Sequence, residues 1–167
     1  VMRFTDAEME VEQEIWRKWT QREIPDPYPG MAEAVAAFRA AGGIVCVASH
    51  SEADIIRRDY RHHFGGEPEM VFGWEQPPHR RKPHPYALDM IMEKYGLAPS
   101  DLLMVDDLRP GLEMSAARGV DFCWAAWSET APVVGEFMQK NAKYAFETPW
   151  ELGEFVMGAP LERGGTV

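Results

Sequence analysis

Cysteine is scarce in this sequence: 167 residues contain two, Cys46 and Cys123, without metal-ligand spacing. Each sits inside an apolar run, so both read as buried, reduced core residues of a cytoplasmic protein rather than as a disulfide framework. No run of 18 apolar residues occurs, which excludes a transmembrane helix on hydropathy grounds. Basic side chains are in the minority, 17 against 27 acidic ones, for a formal charge of −10. That balance argues against a nucleic-acid or anionic-membrane surface, which needs a basic face. It leaves room for a small phosphorylated ligand, since a few local cations suffice. Internal repeats and low-complexity tracts are also missing. Hydrophobic residues make up 46% of the chain, enough to exclude a wholly disordered protein and to build one domain with a core.

The chain alternates helical and strand patterns. Thr5-Asp6-Ala7-Glu8 is a capping box that opens a helix from about Asp6 to Glu23, offering Met9, Trp16 and Trp19 to one side. The three prolines between Ile24 and Gly30 break it. Met31, Ala34, Val35 and Phe38 have helical spacing, and Gly42-Gly43 ends that helix. Ile44 to Ala48 reads as a strand buried on both faces, of the kind found in parallel sheets. Ser49 to Glu52 can cap a helix running to about His63, where His62-His63 suits the negative end and Arg57, Arg58 and Arg61 form a solvated face. Met70 to Phe72, Leu102 to Val105, Phe122 to Ala125 and Tyr144 to Phe146 are further strands. Helices are expected over Pro83–Tyr95, closed by Gly96, over Pro110–Arg118, over Pro132–Asn141, and after Thr148 with Pro149 at the first position. This alternation predicts an α/β fold, a parallel sheet with helices on both faces. In such sheets ligands bind at the carboxyl ends of the strands.

That rule draws attention to three places. Asp106 and Asp107 end an apolar strand; they cap the next helix or hold a Mg²⁺ ion, which takes carboxylate oxygens together with water and phosphate. Lys82, in Arg80-Arg81-Lys82-Pro83-His84-Pro85, is either part of a solvated basic loop or a point charge that neutralises phosphate. Ser49 ends a strand; its hydroxyl and the following N–H groups suit a helix cap or a phosphate oxygen.

Taken together and in order, these residues resemble the haloacid dehalogenase-like hydrolases. That family's second motif is a strand-ending Ser or Thr, matched by Ser49. Its third is a Lys, often Lys-Pro-x-Pro, matched by Lys82-Pro83-His84-Pro85, and its fourth is an acidic pair, matched by Asp106 and Asp107. Tyr28-Pro29-Gly30-Met31 and Gly119-Val120 fit the same pattern, so the resemblance covers roughly Tyr28 to Val156. It implies a three-layer Rossmann-like core over residues 28–158, the remnant of a helical cap over 1–27, and a flexible tail over 159–167. It also implies a Mg²⁺-dependent phosphohydrolase acting on a small phosphorylated metabolite through an aspartyl-phosphate. Asp106 and Asp107 would hold the metal, and Lys82, Ser49 and Asp107 are counted as catalytic. Lys82, Ser49 and His50 would bind the phosphate, although His50 stands where the phosphatases commonly carry Asn. A phosphomutase and a non-catalytic binding protein on the same fold are the alternatives.

Two departures follow. Many family members carry Gly-Asp with a second Asp four residues later; here the Gly position is Asp106 and the later position is Gly111. More seriously, the family's first motif, a strand ending in Asp-x-Asp that supplies the nucleophile, occurs nowhere in the sequence. Asp6-Ala7-Glu8 is the nearest imitation and is better explained by the capping box. In the resembling fold that strand lies between those at Ile44–Ala48 and Leu102–Val105. With neighbours about 4.8 Å apart, its loss leaves a gap of roughly 10 Å that a single sheet should not tolerate. The expectation is therefore that this chain alone is inactive and that the natural protein is longer at its N-terminus.

Overall fold

Local signals in the sequence become the element boundaries. The computed structural model describes residues 5–128 and 131–162. The helix α1 (Asp6–Arg22) opens on the expected box: the Glu8 N–H donates to Thr5 Oγ1 at 3.4 Å while the Thr5 N–H donates to the Glu8 carboxylate at 2.7 Å. Those Thr5 bonds, the backbone one foremost, hold the Glu8 carboxyl below its ordinary range. The side chains of Asp6, Met9 and Glu10 lie outside the described residues. Asp6 itself opens a helix and does not end a strand.

Along the chain follow α2 (Met31–Ala40), β1 (Cys46–Ala48), α3 (Ala53–His63), β2 (Met70–Phe72), α4 (Tyr86–Tyr95) and β3 (Leu103–Asp106). Then come α5 (Arg109–Ala116), β4 (Asp121–Ala125), α6 (Pro132–Asn141), β5 (Tyr144–Phe146) and α7 (Pro149–Met157). A second capping box, Thr148 with Glu151, starts α7, and Gly96 closes α4 in the left-handed region at φ 65°. The α4 helix begins at Tyr86, not at Pro83. Lys82 and His84 each precede a proline, which keeps them out of the helical region, so the helix waits until Pro85 is passed.

The strands are parallel, as expected, but they form two sheets rather than one. β1 pairs with β2, with Cys46 opposite Met70 and Ala48 opposite Phe72, and the other sheet has the order β3-β4-β5. Among the described residues, the second edges of β1 and β3 have no strand partner. This corrects the reading of Ile44–Ala48 as buried on both faces. The strand begins only at Cys46, its three residues are all half-buried, and so are the four of β3, whereas β4 buries Phe122, Cys123 and Ala125. A strand with one open edge keeps solvent access that a fully paired strand loses.

One core joins the two sheets. Ala87, Leu88 and Ile91 of α4 and Met114 of α5 pack with Phe72 and Val120, and Cys46, Ala48 and Met104 lean on the same cluster. Another helix pair, α2 on α7, depends on two glycines. A Cβ on Gly30 would sit 2.6 Å from the Trp150 ring, and its φ of 92° already disfavours any other residue; a Cβ on Gly153 would meet that of Ala34 at 2.9 Å.

The arginines of α3 do more than face water. Arg57 and Arg61 both pair with Glu67, and Arg58 reaches the carbonyls of Gln21 and Glu23 at the end of α1. His63 also bonds back, to the Pro25 carbonyl at 2.9 Å. Among the described residues, no helix is long and apolar enough to cross a membrane.

The cysteines diverge from expectation. Cys123 is fully buried, but Cys46 is half-buried because β1 has its open edge. Burial pushes the Cys123 thiol up to about 12 and raises that of Cys46 less. The thiolate is the nucleophile, so Cys123 should resist alkylation in the native protein at pH 8 and be labelled only on unfolding. Fast native labelling of both thiols, read by mass spectrometry, would contradict this packing.

Candidate functional site

The site forms where the strands run out. At the end of β1 the ladder continues by one bond, from the Ser49 N–H to the Phe72 carbonyl at 2.9 Å, which fixes Ser49 beside Gly73 at the end of β2. The Ser49 hydroxyl accepts the Ser51 N–H at 3.0 Å, so its oxygen acts as a turn cap. The N-terminus of α3 is capped differently from expectation. Glu52 at the N-cap makes no side-chain cap bond; instead Glu75, from the loop after β2, accepts the Ala53 N–H at 2.8 Å. A carboxylate at a helix N-terminus is favoured by the dipole, and it occupies an N–H that a phosphate oxygen could otherwise use. Gly73 allows this closeness, since a Cβ there would lie 2.6 Å from the Ala53 nitrogen.

The loop from Trp74 to Lys82 then crosses the strand ends. Arg81 stacks over the Trp74 ring at 3.7 Å and donates to the Gln76 carbonyl, which folds the loop on itself. His50 meets Trp74 edge-on, and its Nε2 lies 3.1 Å from the Lys82 carbonyl. His84 accepts the Tyr86 N–H, and His79 is exposed. The Lys82-Pro83 peptide bond is cis. Lys82 itself points at Asp106, the last residue of β3, and forms an ion pair whose side chains are only 13% and 7% exposed.

Asp106 and Asp107 take different roles. The other Asp106 oxygen accepts the Leu108 N–H at 3.0 Å, closing a turn just before α5, whose own first-turn N–H groups have no side-chain cap bond. Its carboxylate rests against Gly111: a Cβ at position 111 would meet Asp106 Oδ2 at 2.5 Å and its Cγ at 2.6 Å. Asp106 thus occupies the space that a side chain at position 111 would need. Asp107 turns to Ser128, whose hydroxyl donates to its Oδ2 at 3.0 Å.

A small pocket lies beside the ion pair, with Ser49, Lys82, Arg80 and Arg81 around a floor that includes Ala48 and Phe72. The fold therefore brings Ser49, His50, Lys82 and Asp106 to one rim, with Asp107 alongside Asp106 and facing β4. Such a rim offers cations and a hydroxyl to an anion, and two carboxylates to a cation. Sequence reasoning missed Ser128, Glu75 and the coupling of Gly111 to Asp106. Ser128 lies in the turn three residues past the end of β4, whereas Ser49 directly follows β1, so a search of the loops after the strands could have found it.

The haloacid dehalogenase-like hydrolase family model matches residues 4–119. No curated protein matches the sequence. Solved structures are similar in fold. A predicted phosphoglycolate phosphatase from Haemophilus somnus 129pt superposes with a TM-score of 0.74 at 17% identity, over 92% of this chain and 68% of that one. A haloacid dehalogenase-like family hydrolase from Streptococcus pneumoniae gives 0.70 at 12% identity, over 92% and 72%. A point mutant of CbbY from Rhodobacter sphaeroides, in complex with xylulose-(1,5)bisphosphate, gives 0.58 at 18% identity, over 75% and 56%. The chain thus spans between 56% and 72% of the length of these proteins.

Proposed function

Because the chain belongs to the haloacid dehalogenase-like hydrolases, we propose that it carries the phosphate- and metal-binding residues of a Mg²⁺-dependent phosphohydrolase for a small phosphorylated metabolite. The observation that supports this most is the meeting of Lys82 with Asp106 at the strand ends, with Ser49 beside the same pocket. In this reading Lys82 gives its charge to the transferring phosphoryl group, Ser49 donates to a phosphate oxygen, and His50 holds the Lys82 loop in place.

The residues present fit a divalent ion in part. Among the described residues, no group of three potential metal ligands gathers. Mg²⁺ is nonetheless commonly bound through one or two carboxylates plus waters and substrate phosphate, which Asp106 and Asp107 could provide. When bound it would screen the charge between a nucleophile and the phosphate. The nucleophile is the piece these residues do not supply, since no Asp-x-Asp occurs in the sequence. The chain by itself is therefore proposed to bind without turning over, with the aspartate that would form the aspartyl-phosphate supplied from outside it. We place it in the cytoplasm, in keeping with two unpaired thiols.

Mg²⁺ with inorganic phosphate should raise the melting temperature of this chain, because ligands of the folded state stabilise it by mass action. Asp107→Asn should abolish the Mg²⁺-dependent part. In a protein where an Asp-x-Asp strand precedes this sequence, the same substitution should abolish phosphate release. A melting curve indifferent to both ions would favour the second reading, a binding protein without phosphate chemistry. The missing motif is what gives that reading weight. Isomerisation of a sugar phosphate without phosphate release would instead identify a mutase.

A further inference from the structure

Arg80, Arg81 and Lys82 all line the small pocket beside Ser49, and among the described residues no carboxylate lines it. The chain as a whole has the opposite balance, 27 acidic side chains against 17 basic ones. The cations are not equivalent. Lys82 is paired with Asp106, so its charge is cancelled before any ligand arrives. Arg80 and Arg81 pair with no carboxylate among the described residues, whereas arginines elsewhere do, as Arg39 with Glu69 and Arg118 with Asp89.

Aromatic faces hold these two arginines instead. The Arg80 guanidinium lies 4.7 Å from the centre of the Tyr86 ring at the start of α4, and Arg81 lies over Trp74 at the start of the loop. Each ring is itself braced, since Phe72 meets Tyr86 edge-on and His50 meets Trp74 the same way. A ring beneath a guanidinium restrains its plane without neutralising it, and leaves the N–H edge for an oxyanion. Arg81 donates its Nε–H to the Gln76 carbonyl, but its terminal amino groups make no hydrogen bond among the described residues. The Arg80 side chain makes one bond there, a long one of 3.5 Å to the Tyr86 hydroxyl.

Two unneutralised guanidiniums exceed what one phosphoryl group needs at this rim. In the function proposed above, that group already has Lys82, the Ser49 hydroxyl and a divalent ion. A cleft lined by one sign of charge attracts the other, and a guanidinium fork fits a carboxylate or a phosphate through two oxygens at once. We infer that Arg80 and Arg81 form a second anion subsite. The substrate is then a small metabolite with another oxyanion, a carboxylate or a second phosphate, a short chain away from the phosphoryl group. This inference rests on the phosphate-binding reading of Lys82 and Ser49.

Calorimetric titration of this chain in Mg²⁺ tests it with ligands of one carbon length: propyl phosphate, phosphorylated hydroxypropionate and propanediol bisphosphate. At least one of the doubly anionic ligands should bind about tenfold tighter than propyl phosphate, the gain expected of one charge-assisted contact. Whichever gains identifies the second anion. Arg80→Gln should erase most of that gain and leave propyl phosphate within about twofold; Arg80 is exposed, so the substitution leaves the core intact. Arg81 also folds the loop, so its test is Arg81→Lys, which keeps the charge, loses the fork and should also reduce the gain. Arg22→Gln, which removes a charge from the end of α1, should leave the gain unchanged. Equal affinity for all the ligands overturns the inference and spares the phosphate-binding reading. An Arg80→Gln variant that weakens propyl phosphate as much as the others also overturns it, because the arginine then serves the phosphoryl group itself. So does a gain lost equally in Arg22→Gln, which is a general field effect. If no ligand binds, the phosphate-binding reading fails and the inference with it.

Discussion

Lys82→Met should destabilise the protein by about 3–5 kcal/mol, the loss typical when one partner of a buried ion pair is removed. The argument rests on where the charge is left. Asp106 is 7% exposed at its side chain, and without the ammonium its carboxylate keeps, among the described residues, only the Leu108 N–H. A carboxylate so placed pays for desolvation with little in return. Removing both charges should be far gentler: Lys82→Met with Asp106→Leu is expected to recover most of the loss, because two apolar groups of similar size leave no buried charge unpaired, only the half-exposed Leu108 N–H without its acceptor. Urea denaturation of the single and double variants gives the coupling directly. If Lys82→Met costs under about 0.5 kcal/mol, the range of an ordinary surface change, the pair is not dry and Lys82 is not held for the site. The pairing also bears on function. On the function proposed above, a phosphate dianion would draw Lys82 partly away from Asp106, and an incoming cation would compensate Asp106 for that loss.

Gly111→Ala should cost about 1–3 kcal/mol, as overpacking of a filled position does. Position 111 lies in the first turn of α5 and has no positive φ, so alanine would normally help there. What opposes it is the Asp106 side chain, which a Cβ would approach to 2.5 Å. The sign should therefore reverse when that side chain is gone. In an Asp106→Gly background, Gly111→Ala should stabilise by about 0.5–1 kcal/mol, the ordinary difference between the two residues in a helix. Thermal melts of the parent and these three variants decide it. A penalty that persists in the Asp106→Gly background would show that some other neighbour closes the space. The experiment also probes the metal reading, since a displaced Asp106 would change the Mg²⁺-dependent melting shift.

The candidate site was legible as a set of residues but not as a set of bonds. Ser49, Lys82 and the Asp106-Asp107 pair stood out because each ends a strand or precedes a helix in a chain that alternates the two. Nothing in the local pattern shows that Asp106 would be taken by Lys82, 24 residues earlier, or Asp107 by Ser128, 21 residues later. The cap of α3 was misplaced for the same reason. Four polar residues next to the helix competed in sequence with Glu75, 22 residues from Ala53, and the distant carboxylate won because the loop after β2 lies against that helix end. Helical spacing places Trp16 and Trp19 on one side of α1. Their exposure shows that an apolar residue on a helix names a face without naming its partner.

Sequence alone determined the elements, their order, the caps at Thr5, Gly96 and Thr148, and the parallel α/β class, because each depends on chemistry within a few residues: hydrophobic period, a side chain reaching its own helix end, a glycine accepting positive φ. Only the tertiary structure decided that the strands divide into two sheets, that the cysteines differ in burial, and that Asp106 fills the space Gly111 vacates. Those outcomes depend on which distant segments come within a few ångströms of one another, and excluded volume and solvent access have no local signature in the chain.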